Sequence, residues 1–98
     1  MDKIFRALSD RNRRMIVTLL KNRELKVTEI LSYLSIGQAT VSSHLSVLRK
    51  AGLVEVRVSG RERFYSLNKA EFLKFAEVIN KFVDREKSKI LEKDIVIR

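Results

Sequence analysis

Gln38, Thr40, Ser42, Ser43 and Ser46 place five short polar side chains within a few turns of chain, with Arg49 and Lys50 close behind. A second basic group, Arg57, Arg61 and Arg63, surrounds Gly60. These residue types make and break no covalent bonds. They exchange hydrogen bonds and carry positive charge. A glutamine amide can pair bidentately with adenine, and small hydroxyls reach base edges or phosphate oxygens. Arginine is drawn to the concentrated negative potential of a narrow minor groove. The chemistry implied is recognition of double-stranded DNA.

The inventory excludes much else. There is no cysteine, hence no disulfide, thiolate metal site or thiol switch. His44 is the single histidine, which makes a poor metal site without cysteine partners. It borders an apolar stripe and reads first as a packing or hydrogen-bonding residue, second as a phosphate contact. No paired carboxylates in a recognisable motif and no glycine-rich phosphate loop occur. The expectation is therefore no catalytic residue, no cofactor, no metal and no enzyme.

Positioning these groups requires particular elements. Ile4, Phe5 and Leu8 predict a short helix over 2–8. Ser9 or Asp10 can cap a second helix over 11–21, with Met15, Ile16, Leu19 and Leu20 as its buried stripe. Arg11, Arg13 and Arg14 crowd its first turn against the helix dipole, which suggests that they have partners. Asn22 to Lys26 reads as a loop. Thr28 is the expected cap of a third helix lined by Ile30, Leu31 and Leu34, with Val27 as staple residue. Ser35, Ile36 and Gly37 form the turn into a fourth helix over 38–51. Its core stripe is Val41, Leu45 and Leu48, and Gly52 ends it. Gln38, Ala39, Ser42, Ser43 and Ser46 lie opposite that stripe.

Val54, Val56 and Val58 alternate with Glu55 and Arg57 as a half-buried strand. Ser59 to Glu62 is a hairpin tip, and Arg63 to Leu67 is the return strand. The order helix, turn, helix, two-stranded wing places one helix in the major groove and a basic ribbon near the minor groove. For the wing, charges also protect an edge strand. That reading weighs equally with DNA for Arg57, while Arg61 and Arg63 read as DNA contacts. Asn68 caps a long last helix running to about Glu92. The tail over 94–98 is read as either a frayed end or a small strand.

Phe72, Phe75, Ala76, Ile79, Phe82 and Val83 form a broad apolar stripe on that helix, extended by Ile90. It packs either on the first helix of its own chain or in a homodimer. The dimer is favoured, with Ile4, Phe5, Phe72, Phe75, Ile79, Phe82 and Val83 at the interface.

The 98 residues predict one domain, 1–98. Within it the helix-turn-helix covers about 28–51, the wing about 54–67 and the dimerisation helices about 2–8 and 69–92. The net charge is +9, and most of the excess falls before residue 68. No apolar run approaches a membrane span and no signal pattern opens the chain, so the expected location is the cytoplasm.

The segments FRALSDRNRRMIVTLL, ELKVTEIL and GQATVSSHLSVLRKAGLVEVRVSGRERFYSL closely resemble the ArsR/SmtB (arsenic-repressor) family of winged helix-turn-helix transcriptional repressors. The resemblance covers nearly the whole chain. It implies a mostly α (α+β) protomer in the order α-α-α-α-β-β-α, dimerisation through the first and last helices, and operator binding by the helix beginning near Gln38. It also implies that many members release DNA on binding metal. This chain departs there. Lys26 and Thr28 occupy the places of the cysteine pair in ELCVCDL. The last helix carries Asp84 and Glu86 but no histidine, and a persulfide-sensing cysteine pair is missing. Gly37 stands where a serine cap is common, and Arg11 where proline often is.

The leading expectation is a sequence-specific dimeric repressor reading a palindromic operator. Its inducer would be an unidentified small molecule or protein, if it has one. Alternatives are an architectural or nonspecific nucleic-acid-binding protein, and a protein-interaction winged helix.

Overall fold

The computed structural model describes residues 1–94, with the side chains of residues 1–83. Its elements are α1 (Asp2–Leu8), α2 (Arg11–Leu19), α3 (Val27–Leu31), α4 (Gln38–Lys50), β1 (Val54–Ser59), β2 (Glu62–Leu67) and α5 (Lys69–Asp94). This is the predicted order of four helices, a hairpin and a final helix.

Asp10, rather than Ser9, caps α2. Its carboxylate accepts the Arg13 backbone N–H at 3.0 Å. The helix stops at Leu19, two residues short of expectation. Ile16 and Leu20 are buried, but Met15 is exposed and Leu19 only half-buried. A single i, i+4 pair faces the core, and its flanking positions turn outward.

α3 differs from expectation at both ends. It starts at Val27 instead of following a Thr28 cap. The Glu29 carboxylate returns to accept the Lys26 backbone N–H at 2.9 Å. The helix ends at Leu31, so Leu34 packs from the turn.

In α4 the buried stripe is Val41, Leu45 and Leu48, as predicted. Gly52 takes φ +81°, where a side chain would be strained. Leu53 N–H then reaches the Leu48 carbonyl at 3.0 Å, and Gly52 N–H the Arg49 carbonyl at 2.9 Å. These two bonds satisfy carbonyls that the helix end leaves open. Leu48 and Leu53 are both fully buried beneath the turn.

β1 and β2 pair antiparallel from Val54↔Leu67 to Ser59↔Glu62. A two-residue turn joins them, with Gly60 at φ +62°. Val54, Val56 and Val58 share a face with Leu67, Tyr65 and Arg63. Val54 is buried, Val56 half-buried and Val58 exposed, because the hairpin runs outward past the body. The expected loop over 22–26 contains a further pairing. Leu25 bridges Tyr65 through backbone bonds of 2.9 and 2.8 Å, adding a single-residue third strand.

Asn68 caps α5 as predicted, accepting the Glu71 N–H at 3.2 Å. Its own N–H bonds the Leu53 carbonyl at 2.9 Å, tying α5 to the turn after α4. The helix continues two residues past the expected Glu92. The side chains of Asp84, Glu86 and Ile90, and the tail 95–98, lie outside the described residues. The core joins Ile4 and Ala7 of α1 to Ile16, Leu20, Ile30, Leu45, Leu53 and Tyr65, with Phe72 and Phe75 packed against it.

Candidate nucleic-acid interface

The polar side of α4 is open. Gln38, Ala39, Thr40, Ser42 and Ser43 are exposed, as are Arg49 and Lys50, while Ser46 is half-buried. The opposite stripe is sealed in the core. Gly37 caps the helix without a side-chain bond, leaving its first N–H groups unsatisfied by a cap. A helix start of this kind attracts anions. Ser46, Arg49 and Lys50 border an open groove whose other wall is Val54, Glu55 and Val56 of β1. The end of α4 and the base of the wing thus share one open groove, with Arg49 and Lys50 on one wall and Glu55 on the other.

His44 lies inward of this face, with a side chain 13% exposed. Its Nδ1 is 3.3 Å from an Arg13 guanidinium nitrogen. A guanidinium only donates, so Nδ1 accepts and the ring proton sits on Nε2. That nitrogen is 3.8 Å from the Asp10 carboxylate. The Arg13 backbone N–H, above all, holds the Asp10 carboxyl below the usual carboxylate range. Arg13 also bonds the carbonyls of Ala7 at 2.6 Å and Arg6 at 3.2 Å, and Arg14 bonds that of Leu8 at 2.9 Å. Of the three arginines that oppose the α2 dipole, Arg13 and Arg14 therefore close the open end of α1, while Arg11 is exposed. Sequence pattern showed their cost but not their partners.

The wing arginines separate into two kinds. Arg61 at the turn and Arg63 on β2 are exposed. Arg63 lies opposite Val58, on the face that carries Val56. Arg57 lies on the other face and, though also exposed, is engaged by protein partners. It donates to Glu24 at 3.1 and 2.9 Å and lies 4.6 Å from the Phe64 ring centroid. Beside it Lys26 Nζ meets Glu62 at 2.7 Å. The bond from Arg57 lowers the Glu24 carboxyl pKa, and the Glu62 contact raises that of the Lys26 ammonium. Sequence reasoning missed Glu24 and Lys26 as partners of the wing. Their alternation around the apolar Leu25 is a period-two signal that reads as a strand fragment.

The expected interface residues also divide. Ile4 is 6% exposed and belongs to the chain's own core. Phe5 and Phe75 meet edge-to-face, with centroids 5.4 Å apart, inside one protomer. Phe72 and Ile79 are half-buried. Phe5, Leu73, Phe82 and Val83 remain exposed, and Leu73 was not among the expected interface residues.

Known proteins share this arrangement. The family model described as "Bacterial regulatory protein, arsR family" matches residues 10–56. The chain is 34% identical to the transcriptional repressor SdpR of Bacillus subtilis, over 69% of this chain and 76% of that protein. It is 32% identical to the transcriptional activator HlyU of Vibrio cholerae, over 80% and 72% respectively. Among solved structures, an ArsR-like transcriptional regulator from Rhodococcus superposes with a TM-score of 0.81 at 26% identity, covering 98% of this chain and 88% of that one.

Proposed function

The chain belongs to the arsR family of bacterial regulatory proteins, DNA-binding regulators of transcription, and on that premise we propose that it is a homodimeric repressor reading a palindromic operator. The observation that carries this reading is the open polar side of α4, backed by a fully buried apolar stripe. Gln38, Ser42, Ser43 and Ser46 face the bases of the major groove. Thr40, Arg49 and Lys50 hold phosphates. Arg61 and Arg63 engage the minor groove beside it. Arg57 and His44 serve the framework, since both are engaged by protein partners.

A second copy supplies the symmetry. The exposed apolar residues on α1 and α5 support pairing there, and two α4 helices then read half-sites roughly 34–36 Å apart. Similarity to one repressor and one activator carries regulation without its direction; repression is our reading, in which the bound dimer covers its site. Metal release does not fit these residues. At the places of the thiolate pair stand a Lys26 ammonium bonded to Glu62 and the Thr28 hydroxyl, which offer neither thiolate nor imidazole.

Selection of duplexes from a random pool tests the reading. An enriched palindrome, with Gln38→Ala costing roughly 1–3 kcal/mol and relaxing preference at one position per half-site, is expected. Equal affinity for scrambled duplexes would favour an architectural protein and defeat the proposal.

A further inference from the structure

We propose that Glu24, acting through Arg57, is a positioning residue that fixes the angle of the wing for DNA. This rests on the reading that the wing engages the minor groove.

Alternation along a short extended segment builds the contact. Residues 24–26 are extended where Leu25 pairs with Tyr65. In an extended segment, side chains two apart share a face. Leu25 turns inward and is buried, so Glu24 and Lys26 lie together on the outer side of the sheet. On that same side the register brings Arg57, Phe64 and Glu62. The two ion pairs are complementary in sign. An acid of the 24–26 segment holds a base on β1, and a base of that segment holds an acid on β2. Reversing either charge, or slipping the hairpin by one residue, sets like charges together or turns the side chains to the other face.

Such a clasp has little reason to exist for stability. All four side chains are 40% or more exposed, and exposed pairs contribute little to folding. What it defines is direction. A two-stranded ribbon leaving the body at Val58 is held at its base by the core and by one backbone bridge. Arg57 sits three positions beyond buried Val54, far enough out to steer the tip that carries Arg61. The bidentate geometry and the Phe64 ring lock the guanidinium in one orientation. Glu24 thus acts on DNA through the wing without touching it.

The experiment uses the full chain and a duplex recovered from a random pool by the wild-type protein, with affinity read by gel shift across a salt series. Glu24→Gln should weaken binding on the order of tenfold and make the salt dependence shallower, by roughly 0.9 in slope for each phosphate that the wing no longer neutralises. The melting temperature should stay near that of the wild type. The exchange Glu24→Arg with Arg57→Glu should recover part of the lost binding, because it rebuilds the ion pair with reversed charges although not the contact with Phe64.

Tighter binding and a steeper slope for Glu24→Gln would overturn the inference, since Arg57 would then be a DNA contact that Glu24 restrains. Unchanged binding, a large drop in melting temperature, or an exchange no better than the single variants would overturn it too. Arg61→Ala separates this from the premise. If Arg61→Ala weakens binding while Glu24→Gln does not, the clasp idea fails alone. If neither variant changes binding, the wing reading fails with it.

Discussion

The body from α1 to β2 and the helix α5 are built on opposite principles. Every buried apolar residue among the described ones lies between Ile4 and Tyr65. The body closes its core with its own groups and caps α2 and the end of α4, while the start of α4 stays open. α5 touches that core with Phe72 and Phe75, then leaves Leu73, Phe82 and Val83 in solvent. At 1.5 Å per residue its 26 residues extend about 39 Å. The difference teaches that closing the core and covering α5 are separable tasks for this chain.

The strongest way to break that contrast is Leu45→Ala. Leu45 is 1% exposed at the centre of the α4 stripe. Its truncation should cost about 2–5 kcal/mol in denaturant unfolding. A cost well below that range would show that the body leans on α5 more than its packing indicates.

Phe82→Glu probes the other half. The side chain is 66% exposed, so the isolated protomer should keep its fold. If a second copy covers it, each phenylalanine contributes roughly 1.5–3 kcal/mol to pairing. Sedimentation should then register dissociation at concentrations where the wild type is dimeric, and a variant that remains dimeric would place the interface elsewhere. Operator affinity should fall with the dimer, because one half-site cannot supply the contacts of two.

Arg61→Ala acts at the edge of the body. Gly60 and Arg61 form the turn, and the arginine is exposed. Binding should weaken evenly across sequences, with the salt slope shallower by roughly 1. A change in base preference instead would make Arg61 a reader of sequence.

Acid and base give the smallest effect. The Glu24 carboxyl is depressed by the bond from Arg57. Its contribution is present above the ordinary carboxylate range and lost as pH falls through the lowered pKa. The Lys26 ammonium is raised by Glu62. Its contribution is present below the ordinary lysine value and lost as pH rises through the raised pKa. Between about pH 5 and 10 the clasp should therefore hold constant. Thermal melts across that window should show no step that Glu24→Gln abolishes.

The primary structure alone determined the element order, the α4 stripe, the Gly52 stop, the Asn68 cap and the open polar side of α4. Each of these follows from groups within about one helical turn or one strand pair, where period and cap chemistry act directly on the backbone. The fate of individual charged side chains was decided only by the tertiary structure. Arg57 and Glu24 are 33 residues apart, and Arg13 and His44 are 31 apart. No local pattern says which of several arginines will find a carboxylate or a carbonyl. Packing of α2, α3, α4 and the wing around one core brings those groups together, and so divides the basic residues into those engaged by protein partners and those left exposed.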